Sequence, residues 1–78
     1  IRIYPNPAGN MIRIDIQPSD HQVDRISVTN AARQVLFEQR IKEGSVIESV
    51  DISDFPAGVY FVKTISKDHV SVFRFQKI

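Results

Sequence analysis

Residues capable of acid–base catalysis or metal binding are few in this sequence of 78 residues, and they are scattered. Both histidines, His21 and His69, fall in predicted turns, whereas a general acid or base has to be held in a pocket beside a second group. Glu48, Asp51 and Asp54 form an acidic cluster, but they lack the loop spacing of a calcium site. Cysteine is absent and the three glycines are dispersed, which excludes thiolate zinc sites and a glycine-rich phosphate loop. We therefore expect no enzymatic activity, no metal and no cofactor.

The charge balance argues against a nucleic-acid partner. Ten Lys and Arg residues face nine Asp and Glu residues, a net charge of +1, which is too small an excess to neutralise many phosphates. Aromatic and basic residues do interleave at Phe73, Arg74 and Phe75, but no larger positive field surrounds them. No apolar run approaches the ~18 to 20 residues of a membrane helix, so no membrane-spanning segment is expected. No export leader precedes the first apolar alternation, and we interpret the chain as part of a longer secreted precursor.

Apolar residues recur with a period of two, as strands with one buried face require. The predicted strands cover residues 2–4, 12–16, 25–29, 35–40, 50–52, 59–66 and 70–77. Turn-forming residues separate them at 5–10, 17–22, 30–34, 42–45, 53–58 and 67–69. About seven short strands at this spacing predict a single all-β domain over residues 1–78, an immunoglobulin-like antiparallel β-sandwich. A helix over residues 31–42, where some apolar residues have helical spacing, is the alternative.

Two prolines make the segment Tyr4-Pro5-Asn6-Pro7-Ala8 a stiff strand end. Each proline removes a backbone donor and restricts the residue before it to extended geometry. One interpretation is structural: the prolines stop edge pairing, and the Asn6 amide bonds backbone in a neighbouring turn. The other is a surface landmark for a partner.

The segment Phe55-Pro56-Ala57-Gly58-Val59-Tyr60 is typical of a corner between two sheets. Pro56 suits the second position of a type I turn and Gly58 the fourth, with Phe55 closing over the sandwich. A tyrosine just after such a corner commonly buries its ring and bonds its hydroxyl to backbone, which we expect of Tyr60.

Both faces of the predicted last strand carry apolar residues. Phe73, Phe75 and Lys77 share one face, and Val70, Val72, Arg74, Gln76 and Ile78 share the other. One face should enter the core, which leaves an apolar stripe outside as a candidate docking or dimer surface. An edge strand there could also accept a partner strand. The alternative is a stripe covered by the Lys63 and Arg74 stems.

These segments together resemble the C-terminal sorting domain of type IX secretion substrates in Bacteroidetes. The resemblance rests on Tyr4-Pro5-Asn6-Pro7-Ala8, on residues 51–62 with their Pro56-Ala57-Gly58-Val59-Tyr60 core, and on the closing Phe73-Arg74-Phe75-Gln76-Lys77-Ile78. Their order and their separation of about fifty residues are more specific than either motif alone. The family often has a glycine before the final strand and lysines within it, where this chain has Lys67-Asp68-His69 and Arg74.

The resemblance implies a noncatalytic sorting signal that passes through the periplasm and reaches the cell surface or the medium. The implied partners are the outer-membrane type IX translocon and a sortase-like peptidase that removes the domain, and a homodimer through the terminal strands stays open. Recognition in the family is associated mainly with the last strands. Carried onto this chain, the motif positions are Tyr4, Pro5, Asn6, Pro7, Pro56, Ala57, Gly58, Val59, Tyr60, Arg74, Phe75, Lys77 and Ile78. The alternative function is an extracellular carbohydrate-binding or spacer module, for which two tyrosines and no tryptophan make a poor aromatic platform.

Overall fold

The computed structural model describes residues 1–17, 23–42 and 47–78, and these contain strands and no helix. The strands are β1 (Arg2–Tyr4), β2 (Met11–Asp15), β3 (Val23–Asn30), β4 (Val35–Arg40), β5 (Ile47–Asp51), β6 (Gly58–Ser66) and β7 (Val70–Lys77). The prediction of an all-β fold with seven strands is confirmed, and the helical alternative over residues 31–42 is wrong because β4 occupies it. Within the described residues there is no helix of the length and apolarity needed to span a membrane.

Two antiparallel sheets pack face to face as a sandwich. The smaller sheet has the order β1-β2-β5, and the larger one has the order β4-β3-β6-β7. The chain changes sheet between β2 and β3, between β4 and β5, and between β5 and β6. Three of the six connections therefore cross between the layers and the other three join neighbours within one sheet, which gives the predicted immunoglobulin-like sandwich.

Inward-facing residues of both sheets form one core. The smaller sheet contributes Ile12, Ile14 and Val50, and the larger one contributes Ile26, Val28, Val62 and Phe75, all at most 1% exposed. Side-chain alternation explains which residues are buried, since Arg13 is exposed between Ile12 and Ile14, and Lys63 is exposed between Val62 and the buried Thr64. The period of two in the sequence therefore predicts the buried face correctly.

The bounds of β2, β3, β5 and β6 differ from prediction by one to three residues, the largest difference being the start of β5 at Ile47 rather than at residue 50. β3 begins at Val23 rather than at residue 25, where its pairing with β6 carries an irregularity. β2 ends at Asp15 and β5 at Asp51, so the buried Ile16 and Ile52 lie just beyond their strands. Both side chains still enter the core, which is why the apolar alternation extended past the paired residues.

Some sequence predictions fall wholly or largely on residues outside the described ranges. The turn predicted at 17–22 falls there except for residue 17, and it contains His21. The turn predicted at 42–45 falls there except for residue 42. The other histidine, His69, is exposed between β6 and β7, as expected for a turn.

Candidate recognition site

The segment from Tyr4 to Ala8 carries the chain from the edge of one sheet to the edge of the other. Tyr4 ends β1 in the smaller sheet, and Ala8 forms a parallel bridge with Lys77 of β7 in the larger sheet. The peptide bonds before Pro5 and Pro7 are both cis. Pro5, Asn6 and Pro7 are exposed, while the Ala8 side chain is fully buried in the core.

Three hydrogen bonds hold this segment against the end of β7. The Gln76 N–H donates to the Asn6 side-chain oxygen Oδ1 over 3.0 Å. The Ala8 N–H donates to the Gln76 carbonyl over 2.7 Å, and the Ile78 N–H donates to the Ala8 carbonyl over 3.0 Å. The Asn6 side chain thus takes the place of a backbone carbonyl at the start of a short parallel ladder. The Asn6 side chain bonds backbone, as one interpretation predicted, but the partner lies in β7, 70 residues away in sequence, and not in a turn.

Residues 51–60 form the corner that leads from β5 into β6. The hydrogen-bonded turn lies earlier than predicted: the Phe55 N–H donates to the Ile52 carbonyl over 3.0 Å, which puts the turn at 52–55 rather than at 55–58. The Tyr60 hydroxyl donates to the Pro56 carbonyl, and the Tyr60 side chain is buried. Ring centroids of Phe55 and Phe75 lie 5.3 Å and 5.6 Å from that of Tyr60. The predicted tyrosine corner and the closure by Phe55 are confirmed.

Gly58 begins β6 with a φ of +153°, a backbone conformation that residues with a Cβ rarely adopt. A Cβ added at this glycine would meet no atom within 4 Å. The requirement for glycine here therefore comes from the backbone angle and not from crowding.

The three motif segments, residues 4–8, the corner 55–58 and the end of β7, meet at one end of the sandwich. Lys77 of β7 is paired with Gly58 of β6 on one side and bridged to Ala8 on the other. The segment 4–8, the corner 55–58 and the end of β7 are therefore adjacent, although about fifty residues separate the first two in sequence. In addition, the Ile52 N–H donates to the Asn10 carbonyl over 2.9 Å, which ties the first loop to the corner.

The residues predicted for recognition differ in exposure. Tyr60, Phe75 and Lys77 are buried, with exposures of 4%, 1% and 9%. Tyr4, Gly58 and Val59 are partly buried, and Pro5, Asn6, Pro7, Pro56, Ala57, Arg74 and Ile78 are exposed. Only the last group has its side chains exposed at the surface of the folded domain, whereas the buried residues pack beneath that surface.

Asp51, one of the three residues of the predicted acidic cluster, accepts a hydrogen bond at the corner. The Ser53 N–H donates to Asp51 Oδ1 over 2.9 Å. The Ser53 hydroxyl, followed by that N–H, lowers the pKa of the Asp51 carboxyl below its ordinary value. In the described parts of the chain, no three His, Asp or Glu side chains are grouped so that they could hold a metal ion.

Sequence reasoning missed the roles of Ala8 and Gln76. Both pair through backbone groups, which leave no mark on side-chain type, and the pairing joins distant parts of the chain. One signal was available, because a small apolar residue directly after two prolines suggests a tightly buried position. It could have indicated that Ala8 enters the core, but not which strand receives it.

Comparison with known proteins agrees with this geometry. Among curated proteins, none matches the chain significantly. A family model described as a secretion system C-terminal sorting domain matches residues 2–77, almost the full length, including all three converging segments. The chain therefore belongs to the C-terminal sorting domain family of the type IX secretion system.

Proposed function

We propose that this domain is a noncatalytic export address that is recognised as a folded object. It directs the cargo protein to which it is joined from the periplasm through the outer-membrane type IX translocon. A sortase-like peptidase then removes the domain, and the cargo is attached to the cell surface or released.

The observation that carries the proposal is the convergence of the three family motifs on one exposed surface. We define the motif surface as the exposed residues where the three segments meet, which leaves out Arg74 because segment 6–8 contacts β7 only from Gln76 onward: Pro5, Asn6, Pro7, Pro56, Ala57, Gln76 and Ile78. A receptor that contacts this surface reads all three segments at once. The surface exists only when β6, β7 and the segment 4–8 are paired, so recognition of this kind also reports that the domain has folded.

The chemistry of the motif surface suits binding by shape. None of its seven side chains is ionisable, and three of them are prolines with a fixed φ. Hydrogen bonds to Gln76 and Ile78 hold the backbone of the segment in place. A rigid, uncharged surface loses little conformational entropy when a partner docks, which favours affinity.

The carbohydrate-binding alternative gains no support from the aromatic side chains. All five phenylalanines and both tyrosines lie in the described residues, and each is buried or partly buried. The described residues therefore offer no fully exposed aromatic ring on which a sugar could stack.

Fusion of residues 1–78 to the C-terminus of a periplasmic reporter tests the proposal in a strain with an active type IX system. We expect the reporter on the cell surface or in the medium, and in the periplasm of a matched strain without the translocon. Circular dichroism of the purified fusion shows whether the domain is folded. A folded fusion that stays in the periplasm of the competent strain contradicts the proposal.

A further inference from the structure

The outer edge of β7 is open over part of its length. Backbone groups of alternate strand residues point to opposite sides, and those of Gln76 bond to Asn6 and Ala8 on the side away from β6. By the same alternation, the N–H and C=O groups of Val70, Val72 and Arg74 also point away from β6. Within the described ranges, no other backbone group pairs with them. We call the backbone groups of these three residues the open edge.

The opening has a defined length. Segment 6–8 covers β7 from Gln76 onward, whereas residues 70–74 stay uncovered. Proteins usually protect edge strands by short length, proline, charge or a covering segment. Here the covering segment 6–8 protects only one end of β7. The uncovered part is long enough to pair with about five residues of another extended segment.

The side chains beside the open edge are apolar with one cation. Val70 and Val72 are 55% and 56% exposed on the outer face of the larger sheet, so the predicted apolar stripe is only partly covered. Arg74 is exposed on the same face, opposite Phe61, and has no acidic partner in the described chain.

The whole outer face of the larger sheet is cationic. Register places four cations and one anion on it, a net charge of +3: Arg25, Arg40, Lys63, Arg74 and Glu38. Glu38 is already engaged, 3.7 Å from Arg25. A cavity of about 520 Å³ at the hairpin end is lined by three cations, Arg25, Arg40 and Lys67, and by one anion, Asp24. The outer face of the smaller sheet, in contrast, has no net charge from its strands, because it carries two cations and two anions: Arg2, Arg13, Asp15 and Asp51.

We propose that the open edge accepts an extended segment of a partner protein as a fifth strand of the larger sheet. Backbone hydrogen bonds to Val70, Val72 and Arg74 would supply affinity, and side chains on the outer face would supply selectivity. Cross-strand pairing favours apolar residues opposite the valines and an acidic residue opposite Arg74. This site is separate from the motif surface, and the inference does not depend on the sorting function.

The other candidates fit less well. A second copy would bring two faces of net charge +3 side by side, which electrostatics opposes. Strand β4, the opposite edge of the sheet, exposes Val35 and Leu36, but its pairing with β3 is interrupted between Val28 and Thr29. An irregularity of that kind twists an edge away from regular pairing.

Two synthetic heptapeptides test the inference: each carries two valines and one charged residue at successive alternate positions with threonine at the positions between, and the charged residue is glutamate in one peptide and lysine in the other. Each is titrated to about 2 mM into the labelled 78-residue protein, with amide shifts and hydrogen exchange followed by NMR. We expect the glutamate peptide to bind about fivefold more tightly and to protect the amides of Val70, Val72 and Arg74.

Two variants make the result specific. Arg74→Glu should reverse the preference to the lysine peptide, while Arg13→Glu, the same charge change on the other sheet, should leave it unchanged. Amide shifts across the core confirm that both variants are folded. Binding at β4, equal binding of the two peptides, or no binding by either overturns the inference. Protection of the open edge by self-association without peptide overturns it in favour of a second copy.

Discussion

At the scale of single residues, Tyr60 links the corner to the core. Its ring lies between those of Phe55 and Phe75, and its hydroxyl donates to the Pro56 carbonyl. The aromatic contacts hold the corner over the end of the sandwich, while the hydrogen bond fixes the position of Pro56. One side chain thus shapes an exposed part of the motif surface from beneath.

Replacement of Tyr60 by phenylalanine should preserve the ring contacts and remove the bond to Pro56. We expect the free energy of unfolding to fall by about 1 kcal/mol, since a partly buried carbonyl loses its donor. Urea denaturation measures the change. Tyr4→Phe is the matched control, because the Tyr4 hydroxyl has no hydrogen-bond partner in the described chain. Equal stability of Tyr60→Phe and the parent would show that the bond does not stabilise the corner.

Replacement of Gly58 by alanine should destabilise the domain by about 1–3 kcal/mol through backbone strain alone. The added Cβ has open space around it, so crowding makes no contribution. Gly9→Ala is the control, because Gly9 also has no atom within 4 Å of an added Cβ and lacks the unusual φ. Thermal melts of the two variants should differ clearly, and coincident melting temperatures would contradict the positive φ at Gly58.

At the scale of strands, β7 serves the core and the edge at once. Phe75 and Lys77 face inward, while the backbone of Gln76 and Ile78 holds the segment 6–8. The end of this strand therefore cannot be removed without also releasing the first motif. The terminal strand and the distant Pro-Asn-Pro segment therefore form one structural unit, as the proposed recognition site requires.

Replacement of Asn6 by alanine removes one of the three hydrogen bonds between the segment and β7. We expect stability to fall by about 1 kcal/mol and the Gln76 amide to exchange with solvent faster than in the parent. Asn10→Ala, an exposed change of the same type in the same loop, should affect neither. If Gln76 keeps its protection in Asn6→Ala, the side-chain bond does not anchor the segment.

Much of the strand layout could be predicted from the sequence because it depends on local pattern. β1, β4 and β7 have the predicted bounds, since alternating apolar residues between turn formers define them. The tyrosine corner was predictable for the same reason, as Tyr60 and Pro56 are four residues apart. The turn itself was misplaced by three residues, because Ser53 and Asp54 also favour turns.

The assembly of the site could not be predicted. The pairing of Ala8 with β7 depends on backbone groups and on which sheet edge lies nearby, and neither is written in local residue types. The same holds for the open edge, whose limits are set by where segment 6–8 ends. Only the register of the folded sheets shows that three motifs form one surface.

At the scale of the whole molecule, two surfaces have different chemistry. The motif surface at one end is uncharged and rigid, whereas the outer face of the larger sheet is apolar and cationic. The first matches recognition of shape by export machinery, and the second matches an acidic extended segment. Separate variants can therefore test each surface without disturbing the other.

Export of the reporter fusion carrying Ala57→Glu tests most directly whether the motif surface is the address. Ala57 is exposed on that surface, so the substitution places a charge there without removing a core contact. Ala31→Glu is the matched control: it makes the same change at an exposed position in the turn between β3 and β4, which lies at the same end of the sandwich but outside the motif surface. With both fusions folded by circular dichroism, the account predicts that Ala57→Glu accumulates in the periplasm while Ala31→Glu reaches the cell surface. Equal export of the two would contradict it.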